Sequence, residues 1–294
     1  MPAQIRPGHN VGKELRRVAT RRVRDALDAL SHEPARDEDI HEARKSLKKS
    51  RAVLRLMRGA VGSKAYRHEN IALRDIARPL SVARDSSALL EALDSIVPSA
   101  PGRTALSTRD LRSALLLKRQ DARRVVSPEK QTQVCRALRA SIHRLSRLRH
   151  VGNEWKAVER DLRRTYSDAR DALEASQTRP DELHEWRKQT KYVRYQLHVL
   201  RPAWPSGERR LDKDLSDIAQ LLGDDHDLAV LRGEVLQHQS SVGGTGASDA
   251  LLKKLDRRRA SLQQKAWALG RRVFAATPRQ FTRRLEAGWD VASR

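Results

Sequence analysis

Cysteine, aromatic residues and long apolar runs are scarce in this sequence. A single cysteine, Cys135, excludes an internal disulfide and a metal cluster held by several cysteine ligands. Aromatic residues make up only 4% of the chain, which disfavours a site where nucleic-acid bases stack on Tyr, Phe or Trp rings. No apolar run approaches the length of a membrane span, and the first residues lack the apolar core of a secretory signal. We therefore expect a cytoplasmic protein.

Positive charge, by contrast, is abundant. The chain carries 60 Lys and Arg against 37 Asp and Glu, which gives a formal net charge of +23. Such an excess says little about the fold, but it indicates a polyanionic partner. Composition alone leaves open whether this partner is a nucleic acid, an anionic membrane surface or another polyanion.

Apolar residues recur at helical spacing through most of the chain, and strand-like alternation is missing from the sequence, which predicts an all-α fold. Ser127-Pro128 and Thr277-Pro278 each combine a preferred N-cap residue with a proline suited to the first helical turn, so each pair predicts a helix start. The predicted helices cover residues 11–31, 38–59, 64–95, 104–126, 129–150, 154–177, 181–201, 207–238, 248–275 and 278–290.

The sequence also contains an internal repeat. Residues 40–58 and 183–201 align without gaps at an offset of 143, and both contain the pattern H-E-x-R-K-x-x-K-x-x-R. Residues 73–85 align with 215–227 at an offset of 142, and residues 14–27 align with 161–173 when one gap is allowed. Three blocks in the same order predict a tandem duplication of one helical unit, with units at 1–152 and 153–294 and a junction near 150–154.

Each repeated helix has a seam of apolar or small residues and, one position later, a row of basic residues. One position is about 100° around an α-helix, so each basic row is predicted to flank the buried seam instead of lying opposite to it. The predicted seams are Ile40, Ala43, Leu47, Ser50, Leu54 and Met57, and Leu183, Trp186, Thr190, Val193, Leu197 and Leu200. The predicted rows are His41, Arg44, Lys48, Arg51, Arg55 and Arg58, and His184, Arg187, Lys191, Arg194, His198 and Arg201.

These rows favour the binding of an external anion. Like charges three or four residues apart on a helix repel each other, so a sequence selected for stability alone would place Glu among them. An Arg-rich helix face is often only a solvated surface, but the same residue types recur in the same phase in both units. Arg, Lys and protonated His all donate hydrogen bonds to phosphate oxygens, and such contacts need no recognition of bases.

Two other functions remain open from the residues. The same charge would suit a nucleic-acid-binding protein. The segment 223–227 (G-D-D-H-D) contains the His226-Asp227 doublet of a metal-dependent phosphohydrolase, but that chemistry needs further converging ligands, and the aligned segment 81–85 shares only its final aspartate. We expect Asp85 and Asp227 to pair with neighbouring basic helices. We predict no catalytic residue, no metal ligand and no cofactor.

The paired basic helices, the D-I-A-x-x-L-x-x-x-x-D segments at 75–85 and 217–227, and T-P-R-Q-F-T-R-R-L-E-A-G-W at 277–289 resemble the CHAD domain, the conserved-histidine α-helical domain. The resemblance covers about residues 11–290. It implies two helical bundles related by pseudo-twofold symmetry around a basic groove or pore. It also implies that the groove binds inorganic polyphosphate, commonly at polyphosphate granules, without a membrane partner.

The resemblance further identifies the residues expected to bind polyphosphate. They are His41, Arg44, Lys45, Lys48 and Arg51, and His184, Arg187, Lys188, Lys191 and Arg194, with Arg16 and Arg163 from the matching first helices. The acidic E-x-E-x-K start of the CYTH catalytic domain, which often accompanies this family, is missing from the sequence. We therefore expect a stand-alone, non-enzymatic binding protein.

Overall fold

The computed structural model of the protein describes residues 4–32, 34–97, 108–149, 155–204, 209–238 and 245–293, and these residues form helices and no strands. The predicted all-α fold is confirmed. The helices before residue 150 are α1 (Val11–Ala29), α2 (Asp37–Leu56), α3 (Arg58–Val61), α4 (Ser63–Ile96), α5 (Arg109–Arg124) and α6 (Pro128–Ser146). The later helices are α7 (Lys156–Thr178), α8 (Glu182–Val199), a 3-10 turn (Arg201–Ala203), α9 (Arg209–Gln237), α10 (Thr245–Val273) and α11 (Pro278–Ala292).

The two Ser/Thr-Pro helix starts form as predicted. The Ser127 hydroxyl accepts a hydrogen bond from the Lys130 amide, and Pro128 occupies the first turn of α6. At α11 the Thr277 hydroxyl accepts from the Gln280 amide, and the Gln280 side chain accepts from the Thr277 amide. These caps satisfy N–H groups that a helix start would otherwise leave without partners.

The helix predicted at 38–59 is interrupted. It ends at Leu56, and after Met57 the chain forms the short helix α3 before Gly62 turns it into α4. Gly62 has a φ of 82°, a conformation that favours glycine over residues with a Cβ atom. Gly62 therefore allows α4 to begin directly after α3.

The predicted seams of α2 and α8 are buried along their whole length, which confirms the assignment of the buried face. Ser50, a polar seam residue, donates its hydroxyl to the Ala19 carbonyl and so satisfies its polar group inside the core. Trp186 is completely buried beside Gly270, where an added Cβ atom would lie 2.5 Å from Trp186 Cζ2. The absence of a side chain at Gly270 thus leaves room for the Trp186 ring against α10.

Buried apolar residues form three clusters. One lies within the helices that precede residue 150, between α1, α2, α4 and α6. A second joins parts of α1 and α2 to α7, α8, α9, α10 and α11. The third joins the C-terminal parts of α4 and α9 to α5 and the first part of α10. Two of the three clusters therefore contain residues from both sides of the predicted junction.

The helices that carry the aligned repeat segments pack against each other. Helix α2 contacts α8, and α4 contacts α9. This packing places the two repeated basic segments beside one another. The predicted junction at 150–154 lies outside the described residues, and the duplication and the units 1–152 and 153–294 remain predictions. None of the described helices is both long enough and apolar enough to cross a membrane.

Candidate polyanion-binding site

A cleft of about 530 Å³ lies between α2, α8 and the facing sides of α4 and α9. Both predicted basic rows contribute to its walls. The basic residues that line it are His41, Arg44, Lys45 and Lys48 from α2, and His184, Arg187, Lys191 and Arg194 from α8. The residues from α2 and those from α8 are 143 positions apart in the sequence. The packing of α2 against α8 brings them together in one cleft.

The N-terminal part of each row enters the cleft because it stands one residue after a buried seam. The seams of α2 and α8 turn inward, and the next positions, about 100° further round each helix, face the space beside the contact between the two helices. Arg44 is the most enclosed of these side chains on α2, since the residue is only 8% exposed. Arg44 is thus largely withdrawn from water, whereas His41, Lys48 and His184 are exposed.

Four of the predicted binding residues are not among those that line the cleft. Arg51 Nε donates to Asn70 Oδ1 on α4 at 3.0 Å, and Lys188 pairs with Glu185 one turn earlier on α8. Arg16 donates to the Leu148 carbonyl at 2.9 Å, and Arg163 pairs with Glu159 at 3.3 Å. Each of these side chains has a partner within the protein, and their contact with a ligand remains a prediction.

Among the residues that line the cleft, Lys191 has the pKa that departs furthest from its ordinary value. Its pKa falls from 10.5 to about 7, chiefly because burial disfavours the charged form, and further because Arg187 and Lys48 are close. The negative charge of Asp227 opposes this decrease. Burial, followed by Arg187 and Lys188, also lowers the pKa of His184. A bound anion would reverse both effects because it stabilises the protonated forms.

Helix α9 provides a wall of the cleft that the sequence interpretation missed. Its lining residues lie three or four positions apart on one helix face, a spacing that any helix face shares, and they are Ser216, Ala219, Gln220, Gly223, Asp224, His226, Asp227 and Val230. The His184 and His226 rings lie 5.0 Å apart. At Gly223 an added Cβ atom would lie 3.2 Å from Arg187 Nη2, so this glycine leaves room for the guanidinium.

Two aspartates in the segment 223–227 of α9 have different roles. Asp225 is buried and turns toward α10, where it accepts hydrogen bonds from Arg259 at 3.0 Å and Gln263 at 2.8 Å. Asp227 faces the cleft and acts electrostatically on Lys191, in agreement with its predicted pairing with a basic helix. The side chain of Asp85 lies outside the described residues. Among the side chains described, no three His, Cys, Asp or Glu residues converge in a way that could hold a metal ion.

Comparison with known proteins identifies the fold and the family of the chain. Two solved structures share the fold: the CHAD domain from the plant Ricinus communis, with a TM-score of 0.56 and 18% identity over 99% of this chain and 93% of that chain, and PptA from Streptomyces chartreusis, with a TM-score of 0.64 and 17% identity over 97% and 99%. No curated protein sequence matches the chain. Residues 21–236 match the sequence model of the CHAD domain. The chain therefore belongs to the CHAD domain family.

Proposed function

We propose that this protein binds inorganic polyphosphate in the cleft between α2 and α8 and holds the polymer without cleaving it. The observation that carries the proposal is the convergence of the two basic rows, distant in sequence, on one cleft. A linear chain of phosphates carries negative charge along its whole length, so it can contact both rows at once. Phosphate oxygens accept hydrogen bonds from every type of basic side chain present there.

The electrostatics of the cleft support an anionic occupant. Lys191 has a pKa of about 7 because it is partly buried and lies near Arg187 and Lys48, an arrangement that destabilises the folded protein while the cleft holds no anion. Arg187 Nε is buried and has no hydrogen-bond acceptor among the described residues. Such groups are costly unless a ligand compensates for them.

The lining of the cleft favours polyphosphate over a nucleic acid. Apart from the histidines, Tyr195 is the one aromatic residue that lines the cleft within the part of the chain that the structure describes. Recognition of single-stranded nucleic acid usually relies on several aromatic rings that stack with bases. Binding of a polymer without bases requires only positive charge and a cleft of suitable width, and this site provides both.

The decisive experiment neutralises the cleft. We expect the variant Arg44→Ala, Lys48→Ala, Arg187→Ala and Lys191→Ala to lose polyphosphate binding in calorimetric titration while its helical circular dichroism stays unchanged. A matched control removes four exposed basic side chains from α10, through Lys253→Ala, Arg257→Ala, Arg258→Ala and Lys265→Ala. The control should keep most of its affinity, because these residues do not line the cleft. Equal affinity of the wild-type protein and the cleft variant would overturn the proposal.

Two further measurements separate the alternatives. If duplex DNA displaces polyphosphate at equal phosphate concentration, the cleft is an unselective polyanion site. Release of phosphate that requires a divalent metal ion and disappears in Asp227→Ala would instead indicate a phosphohydrolase. The proposed binding also predicts that the protein associates with polyphosphate granules in cells and that the cleft variant does not.

A further inference from the structure

A second cavity, of about 620 Å³, lies where the start of α9, the end of α10 and the start of α11 meet. The sequence motif at 277–289 forms part of its wall, and the proposed function of the cleft gives that motif no role in binding. Three of the lining residues are arginines, so we call it the arginine cavity. Its charged and polar lining residues are Arg210, Asp214, Arg272, Gln280 and Arg284 from these helices, with Tyr166 from α7.

The arginine cavity has a floor of buried aromatic rings. Tyr166 is only 1% exposed, and its ring stacks on that of Phe281 with the ring centres 4.0 Å apart. The Tyr166 hydroxyl lies 3.2 Å from the Val273 carbonyl and 3.2 Å from the Ala276 carbonyl, to which it can donate. These contacts join α7 to the segment between α10 and α11. The floor thereby positions the two helices that carry two of the three arginines.

Positive charge exceeds negative charge in the arginine cavity. Arg272 is compensated, because it donates to the two carboxylate oxygens of Asp214 at 2.7 Å and 3.2 Å. Within the part of the chain that the structure describes, Asp214 is the one acidic residue that lines this cavity. Arg210 and Arg284 are exposed and form no ion pair with any described residue. Two positive charges therefore remain to attract an external anion.

Gln280 adds a neutral hydrogen-bond donor to the two arginines. Its side-chain oxygen accepts hydrogen bonds from the Thr277 amide at 2.9 Å and from the Thr277 hydroxyl at 3.1 Å, as part of the N-cap of α11. These bonds orient the side-chain amide, and its Nε2 group donates to none of the described residues. An anion in the cavity can thus accept hydrogen bonds from two guanidinium groups and one amide, donors that suit phosphate oxygens.

The arginine cavity and the cleft lie on opposite sides of α9. Asp214 lines the arginine cavity, and Gly223 lines the cleft. Nine positions on an α-helix make two and a half turns, so these residues point in opposite directions and lie about 14 Å apart along the helix axis. The two cavities have no lining residue in common. A ligand in one cavity therefore leaves the other accessible.

We propose that Arg210, Arg284 and Gln280 form a second site for phosphate groups, and that a protein molecule with both sites occupied links two segments of polyphosphate. The linking rests on the proposed function of the cleft, whereas the second site is argued from the arginine cavity alone. The second site is the weaker one, because it offers two arginines without an ion pair, while six lysine and arginine side chains line the cleft. Two sites per molecule allow protein and long-chain polyphosphate to form a network.

The first test detects the second site in a protein whose cleft is disabled. The cleft variant, which loses binding at the concentrations that saturate the wild-type cleft, should still bind tripolyphosphate weakly in calorimetric titration at millimolar ligand. Adding Arg210→Gln/Arg284→Gln should weaken this residual binding by about tenfold, because hydrogen bonds from charged groups are lost. Adding Arg257→Gln/Arg258→Gln instead removes the same charge from the exposed face of α10 and should change the residual affinity by less than about twofold.

The second test measures linking in a protein whose cleft is intact. Wild-type protein mixed with long-chain polyphosphate should form large assemblies in dynamic light scattering. The variant Arg210→Gln/Arg284→Gln should form much smaller ones, although its affinity for tripolyphosphate stays close to the wild-type value, because the cleft still binds. The control Arg257→Gln/Arg258→Gln should assemble like the wild type, since it keeps both sites.

The outcomes separate the two proposals. Equal residual binding and equal assembly in the Arg210/Arg284 variant and its control would overturn the second site and leave the cleft proposal standing. A cleft variant that binds no tripolyphosphate at millimolar concentration would also overturn the second site. If the cleft variant binds as tightly as the wild type and Arg210→Gln/Arg284→Gln abolishes binding, the cleft proposal fails and the second site stands.

Discussion

Lys191 shows how burial can adjust a single residue for binding. A lysine with a pKa of about 7 is only half charged at neutral pH, whereas an ordinary lysine is fully charged. The folded pKa lies below the unfolded value of 10.5, so charged Lys191 lowers the stability of the ligand-free protein. This cost is complete below pH 7 and disappears as the pH rises toward 10.5. A polyanion in the cleft would remove the cost by stabilising the charged form.

We therefore predict that tripolyphosphate binding depends on pH. Affinity should decrease as the pH rises above 7, by up to about tenfold per pH unit, because binding then requires uptake of a proton by Lys191. Titration calorimetry in buffers of different ionisation enthalpy measures both the affinity and the proton uptake. Lys191→Arg should remove most of the decrease, since arginine keeps its charge. A wild-type affinity that is constant above pH 7 would contradict the prediction.

At the scale of the element, helix α8 places buried seam residues directly before residues that line the cleft. Its seam residue Trp186 is completely buried in the core, and the next residue, Arg187, lines the cleft. The position of Arg187 therefore depends on how the seam packs. Trp186 lies against Gly270 of α10 on one side, and Gly223 of α9 leaves room for Arg187 on the other.

We predict that Trp186→Ala destabilises the protein by about 3–5 kcal/mol, the usual cost of removing a large buried aromatic side chain. Affinity for polyphosphate should fall with it, because α8 then loses the packing that positions its basic row. Denaturant unfolding followed by circular dichroism measures the loss of stability. Val291→Ala, at a site that is 73% exposed, should change stability by less than about 0.5 kcal/mol. A similarly small change for Trp186→Ala would show that the seam does not hold α8.

At the scale of the whole molecule, positive charge accumulates where two helices distant in sequence meet. Six lysine and arginine side chains line the cleft between α2 and α8, so part of the positive charge of the chain is concentrated there. Self-repulsion of this kind opposes folding and is relieved by a polyanion. Ligand binding and folding stability should therefore be coupled.

We predict that polyphosphate raises the melting temperature at low salt and that the increase disappears near 1 M salt. A ligand that binds only the native state stabilises it, and salt screens the interaction because the Debye length falls from about 30 Å at 0.01 M to about 3 Å at 1 M. Differential scanning calorimetry with and without polyphosphate measures the effect. The variant with Arg44, Lys48, Arg187 and Lys191 changed to Ala should show little increase. An increase that persists at high salt would indicate binding that does not depend on charge.

Local patterns predicted much of the fold. Helical spacing identified the longer helices and both buried seams, because a period of 3.6 residues is a property of each segment by itself. The N-caps at Ser127 and Thr277 were predictable for the same reason. The break after Leu56 and the short helix α3 were not predicted, since the pattern of apolar residues continues through them.

The candidate site was predicted less completely. The repeated rows identified the basic residues that line the cleft. They did not predict that Arg51 donates a hydrogen bond to Asn70, whereas its aligned residue Arg194 lines the cleft. The wall provided by α9 was also missed, because its cleft face carries mixed small, polar and acidic residues. Such a face has no charge pattern that would distinguish it from an ordinary helix surface.

The sequence by itself determined that the chain is helical, which face of each repeated helix is buried, and that a basic row flanks each buried face. These properties follow from residue type and spacing within one helix. Only the tertiary structure decided that the N-terminal parts of the two rows share one cleft and that Lys191 is enclosed enough for its pKa to fall to about 7. Burial and electrostatic neighbours depend on helices brought together across 143 residues of sequence, and no local pattern specifies that contact.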